Sequence, residues 1–153
     1  PQDALVSFDE NALPMARAIP GALLVSIEGG THTGFSELSR YMRWLPNPDR
    51  ISCAAMVSRL EERPVTDSWF DLLGGEARGI QPNGELAPCA DNLPAAINPV
   101  LQHWITQLVV YGFLQQHFGD TKVERGAARA WLNDYLGEDF PFVTVSTPAL
   151  HQD

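Results

Sequence analysis

This chain has little positive charge. Lys and Arg total 10 against 19 Asp and Glu, for a formal net charge of −9, and the basic residues do not cluster. That argues against nucleic acid and anionic membrane surfaces as partners, because both recruit cationic patches. No uninterrupted apolar run approaches the roughly 18 residues that a membrane span needs. The longest apolar stretch, Ile97 to Phe118, is broken by Asn98, Gln102, His103, Thr106, Gln107, Gln115 and Gln116, as suits a packed amphipathic helix. No signal-peptide pattern and no initiating methionine stand at Pro1, so a processed product or a portion of a longer chain is expected.

Cysteine is scarce too. Cys53 and Cys89 are the only two, neither lies in a C-x-x-C pair, and the four histidines do not group with them. A structural zinc site is therefore not expected. The cysteines leave two readings open: a pair of buried thiols, or one disulfide closing a loop rich in Gly and Pro. The second implies a secreted or periplasmic setting and otherwise leaves the compartment open.

What is present is globular. Hydrophobic residues make up 44% and charged residues 19% of 153 residues, enough chain for one ordinary domain. The most informative stretch is Leu23-Leu24-Val25-Ser26-Ile27, which runs into Glu28-Gly29-Gly30-Thr31-His32-Thr33-Gly34-Phe35. It reads as a buried strand that stops in a tight loop and holds an imidazole at its carboxyl end. Ligands and chemistry collect at that end of the strands in open α/β sheets. Upstream, Asp3 precedes a predicted helix from Glu10 to Ile19, with Asp9 as its N-cap and Pro20-Gly21 as its stop.

Downstream, short helices are predicted at Ser36–Trp44, Asp49–Arg63 and Asp67–Leu73, followed by an irregular loop from Gly74 to Pro94. Pro99 suits the first turn of a helix, along which Val100, Leu101, Trp104, Ile105, Leu108, Tyr111 and Leu114 recur with a helical period. Gly119 ends it. Asp120 or Thr121 caps a further helix that Gly137 ends, and Phe142–Thr147 alternates like a terminal edge strand. One strong strand and one weak strand do not make a stable parallel sheet. Either the chain is helical with a stray hairpin, or it is the carboxyl portion of a larger α/β domain whose missing amino-terminal part supplies the sheet.

The order aspartate, helix, strand, Gly-Gly-x-His, from Asp3 to Phe35, resembles the carboxyl third of α/β-hydrolase superfamily serine hydrolases, especially dienelactone-hydrolase-like and esterase or lipase-like members. Ala18-Ile19-Pro20-Gly21-Ala22-Leu23-Leu24-Val25 looks like the approach to their last main strand, and Pro99–Phe118 like their long carboxyl-terminal helix. The stretch between, from about Phe35 to Ile97, looks like an insertion. The resemblance implies an α/β fold in which His32 and Asp3 are the second and third parts of a Ser-His-Asp triad acting on carboxylic esters. Asp9 is the rival for the acid.

The sequence departs from that family at one essential point. It has no Gly-x-Ser-x-Gly elbow, and Gly34-Phe35-Ser36-Glu37-Leu38 follows the histidine and lacks the second glycine. The resemblance therefore implies a partner, an amino-terminal portion of the same hydrolase that carries the nucleophile and oxyanion hole. A cysteine nucleophile (lactone hydrolysis) or an aspartate nucleophile stays open, as does a non-catalytic helical interaction module in which His32 is structural. Among the aromatics, Phe35, Trp44 and Trp69 are the candidate pocket residues. His103 is expected at a helix surface or core edge, and His117 near a helix end, where it complements the dipole.

Overall fold

Pro20 and Gly21 set the first corner of the fold. Gly21 takes φ +72°, and Ala22 N–H donates to Ile19 O at 3.1 Å, the arrangement of a type II turn with Pro and Gly at its centre. The turn feeds strand β1, Leu24–Ile27. In the computed structural model residues 3–61, 89 and 93–149 are described. The predicted helix Asp67–Leu73, Trp69 and nearly all of the loop Gly74–Pro94 lie outside them.

Ahead of that corner, a π-turn over Phe8–Ala12 leads into helix α1, Leu13–Ala18. The π-turn is capped by Ser7, whose hydroxyl accepts from Glu10 N–H at 3.3 Å, and Asp9 is not the N-cap that the sequence suggested. Asp9 lies inside the first turn with Glu10, where a carboxylate still complements the helix dipole. After β1, two short 3₁₀ segments, Thr33–Phe35 and Glu37–Met42, replace the predicted helix Ser36–Trp44. Helix α2 spans Asp49–Glu61 and helix α3 spans Pro99–Phe118. Asn98 caps α3 through Val100 N–H at 2.9 Å, with Pro99 at its start and Gly119 at its end, as predicted.

Helix α4, Lys122–Ala130, opens on a capping box between Thr121 and Glu124. It passes through a π-turn, Trp131–Tyr135, into the short helix α5, Leu136–Asp139. Gly137 does not stop the helix. It lacks the positive φ of a terminating glycine, and the chain leaves the helix at Phe140. Strand β2, Val143–Ser146, follows.

The described residues are thus mostly helical, with one open two-stranded sheet. β1 and β2 pair antiparallel, with Val25 opposite Val145 and Ile27 opposite Val143. The strand expected to lack neighbours in this sequence has one, and the pairing is antiparallel because β2 returns along it from α5. The side-chain alternation fixes this register: Val25, Ile27 and Val145 pack on the cluster of Ile105, Leu132, Leu136 and Val143, in which Ile105, Leu132 and Leu136 are fully buried. Full burial stabilises by about 1.5–3 kcal/mol for each such side chain. Gly112 lets α3 approach this cluster, since a Cβ there would stand 3.2 Å from Leu132.

Two apolar surfaces have no cover among the described residues. The second edge of β1 carries no strand. Along α3, Trp104, Leu108, Tyr111 and Leu114 are exposed although they recur with a helical period, and Phe118 is exposed too. The helix spends its opposite face, including Gln102, Ile105 and Gly112, on the core.

Candidate functional site

The Gly-Gly-x-His loop forms because β1 has to stop abruptly. Gly29 takes φ +72°, and Gly30 N–H folds back to Ile27 O at 3.1 Å. Non-glycine residues rarely adopt that φ, and a Cβ on Gly29 would also meet Ile97 N at 3.1 Å. His32 then follows at the carboxyl end of β1, just ahead of the 3₁₀ turn Thr33–Phe35.

The structure brings Asp3 and His32 together across 29 residues of chain. His32 Nδ1 lies 3.3 Å from Asp3 Oδ2. The side chain of Asp3 is 20% exposed and that of His32 50%. The other oxygen of Asp3 is already engaged: Oδ1 accepts from Leu5 N–H at 2.9 Å and from Val6 N–H at 2.8 Å. These two bonds fix the carboxylate on its own loop and leave Oδ2 for the imidazole. With the proton on Nδ1, the ring donates to Asp3 and presents a basic Nε2. That Nε2 has no hydrogen-bond partner among the described residues. Asp9 makes no contact of this kind with His32.

A buried polar frame holds the histidine loop. Gln102 of α3 is fully buried; its Oε1 accepts from Thr31 N–H at 3.1 Å and its Nε2 donates to Thr31 O at 2.9 Å. Thr31 Oγ1 in turn accepts from Gly34 N–H at 3.1 Å. Gly34 has no room for a side chain, because a Cβ would overlap the Gln102 and Thr31 side chains. Asp49, the first residue of α2, accepts from the backbone of both loops, and Thr33 Oγ1 meets Ser52 Oγ at 2.6 Å. None of these partners was singled out in the sequence. Gln102 stood as one of several polar interruptions of an apolar helix and Asp49 as a helix start, and a single sequence carries no sign of a contact 71 residues away.

Cys53 and Cys89 form a disulfide with a Cα–Cα separation of 5.4 Å. Of the two readings left open, the disulfide is the observed one. It reaches the acid loop directly, since Cys89 N–H donates to Ala4 O at 3.0 Å.

Of the candidate pocket residues, Phe35 is beside the pair and Trp44 is not. A cavity of about 260 Å³ runs along all four residues of β1 and is bounded by Asp3, Phe35, Val6, Phe8, Thr106 and Val109. Trp44 is 75% exposed, its indole donating to Tyr41 O, on a separate shallow surface with Arg40 and Val100. His103 is half-buried, at a core edge as expected, with Nε2 out of contact with solvent. His117 sits in the last turn of α3, packed on Phe113 at 4.6 Å between ring centres. Among the described residues no helix is long and apolar enough to cross a membrane, and no group of three or more His, Cys, Asp or Glu gathers as a metal site. In comparisons with family models, curated proteins and solved structures, nothing matches this chain.

Proposed function

We propose that this chain is the carboxyl-terminal portion of an α/β-hydrolase-fold carboxylic-ester hydrolase, of esterase or lipase type, in which His32 is the general base and acid and Asp3 orients it. One observation carries this reading: the two residues that the sequence pattern pairs meet through Nδ1 and Oδ2 at 3.3 Å. They do so at the end of a strand and beside an apolar cavity. That is the arrangement acyl transfer needs. The aspartate fixes the tautomer, and Nε2 takes the proton from the nucleophile's hydroxyl as its oxygen bonds to the ester carbonyl. The same proton then passes to the departing alkoxide, and a water molecule, deprotonated in its turn by His32, attacks the acyl-enzyme and releases the acid as His32 returns that proton to the nucleophile's oxygen.

The nucleophile and the oxyanion hole belong to an amino-terminal portion of the same hydrolase. The uncovered second edge of β1, the cavity along it and the exposed apolar face of α3 support such a partner, since contiguous exposed apolar surface marks an interaction site. The Cys53–Cys89 disulfide favours a secreted or periplasmic setting. A second reading, a non-catalytic helical interaction module, draws on the closed cluster of Ile105, Leu132, Leu136 and Val143, which needs no further element.

A serine-reactive fluorophosphonate probe applied to the full-length native protein separates the two, read with turnover of a short-chain nitrophenyl ester. The hydrolase reading expects labelling at a serine outside this chain, lost in His32→Ala. A protein that is neither labelled nor active on esters or lactones supports the module.

A further inference from the structure

We propose that Asp49 is the positioning residue of the Asp3–His32 pair: one buried carboxylate that clamps the acid loop to the histidine loop. Asp49 is fully buried. Its Oδ2 accepts from Ala4 N–H and from His32 N–H, each at 3.1 Å, and its Oδ1 accepts from Thr33 N–H at 2.6 Å. A single oxygen thus bridges the residue after Asp3 and His32 itself. Among the described residues, the other hydrogen bond between the two loops is the Asp3–His32 side-chain contact that Asp49 would be positioning.

The carboxylate is itself held. Asp49 N–H donates to Asn47 Oδ1 at 2.9 Å, Asn47 Nδ2 donates to Pro94 O at 2.9 Å, and Asn47 and Pro48 are buried with it. Its place at the start of α2 puts the negative charge against the helix amino terminus, which favours it.

The chemistry of the three donors requires a carboxylate there. All three are backbone N–H groups, and an acceptor-only side chain with two oxygens satisfies them together. An amide of the same shape turns one of the two sites into a donor facing a donor. A helix-start role alone asks for none of this, because a capping carboxylate accepts from the first-turn amides of its own helix, whereas Asp49 accepts from amides 17 and 45 positions away. Asp49 touches neither the imidazole nor the Asp3 carboxylate. It acts by setting the backbone from which both side chains project, and a displacement of about 1 Å at such a pair costs on the order of 10²-fold in rate. Its contribution to turnover rests on the hydrolase reading; its hold on the geometry of the pair does not.

The test uses the full-length protein with the His32 ring labelled with ¹⁵N, comparing the unaltered chain with Asp49→Asn and Asp49→Ala. Compared at one pH throughout, the unaltered protein is expected to give ring signals dominated by the tautomer protonated on Nδ1, the one that donates to Asp3. In both variants they move toward a mixture of the two tautomers, and kcat for a nitrophenyl ester falls on the order of 10²-fold with KM little changed. A folded Asp49→Asn protein with unaltered ring signals overturns the proposal. If the unaltered protein hydrolyses no ester and the ring signals still move, the positioning role stands and the hydrolase reading falls. If neither variant folds, amide exchange in the unaltered protein decides. Slow exchange at Ala4, His32 and Thr33 together supports the shared carboxylate, and a freely exchanging Ala4 amide overturns it.

Discussion

The histidine loop and the outward face of α3 are opposite solutions to burial. In and around the loop, Thr31, Thr33, Asn47, Asp49 and Gln102 are polar and buried, and hydrogen bonds tie Asn47, Asp49 and Gln102 to backbone distant in the chain. On α3, Trp104, Tyr111 and Phe118 are large and apolar, yet 62%, 62% and 77% exposed. Burying a polar group without a partner costs more than leaving an apolar one in water, so a loop whose buried polar groups all depend on their partners is held to a fixed geometry. An open apolar face is a different feature, since contiguous exposed apolar surface is the kind that marks an interaction site.

The sharpest way to break this comparison is at the pair itself. His32→Ala in the full-length protein is expected to remove nearly all ester turnover while the fold survives, because the ring is half exposed and carries no core contact. Asp3→Asn should cost about 10⁴ in turnover, the scale of the equivalent change in a serine-protease triad. Asp9→Asn should leave turnover near the starting value. Activity that survives His32→Ala would remove the loop from the chemistry, and activity that survives Asp3→Asn but not Asp9→Asn would move the acid.

The disulfide comes next in size. It closes a separation of 36 residues, and a loop of that length corresponds to roughly 3–4 kcal/mol of stabilisation in the chain-entropy picture. The double variant Cys53→Ser, Cys89→Ser should lower the denaturation midpoint accordingly and loosen the Ala4 contact. Thiol titration of denatured, unreduced protein should find no free thiol in this chain. Two reactive thiols there would show that the acid loop is held without the crosslink.

Gly34→Ala should cost about 1–3 kcal/mol, because the added methyl group has to displace Gln102 or Thr31 in a packed site. Equilibrium denaturation measures it. A neutral result would mean that the frame around the loop is slack, and the contrast with α3 would weaken.

The smallest effect is expected on the exposed face. Trp104→Ser and Tyr111→Ser should change the stability of this chain by less than about 0.5 kcal/mol, while weakening its association with the amino-terminal portion in a pull-down of the two separately expressed parts. A large loss of stability with unchanged association would mean that the face is already covered by this chain.

Much of this molecule was legible in the sequence. The start of α3 at Pro99, its end at Gly119 and the turn at Pro20-Gly21 rest on local chemistry, a ring that presets φ and a glycine that accepts φ +72°, whereas the contact of Asp3 with His32 was expected only from the family resemblance. Only the tertiary structure decided the rest. It made Ser7 the cap and left Asp9 inside the turn, and it paired β1 with a strand more than a hundred positions away. It chose which face of α3 is buried, and it gave Gln102 and Asp49 their partners. The physical reason is the same throughout. A cap or a tight turn is settled by neighbours within a few residues, whereas a buried polar side chain or a strand edge is settled by whichever distant donor, acceptor or apolar face completes it.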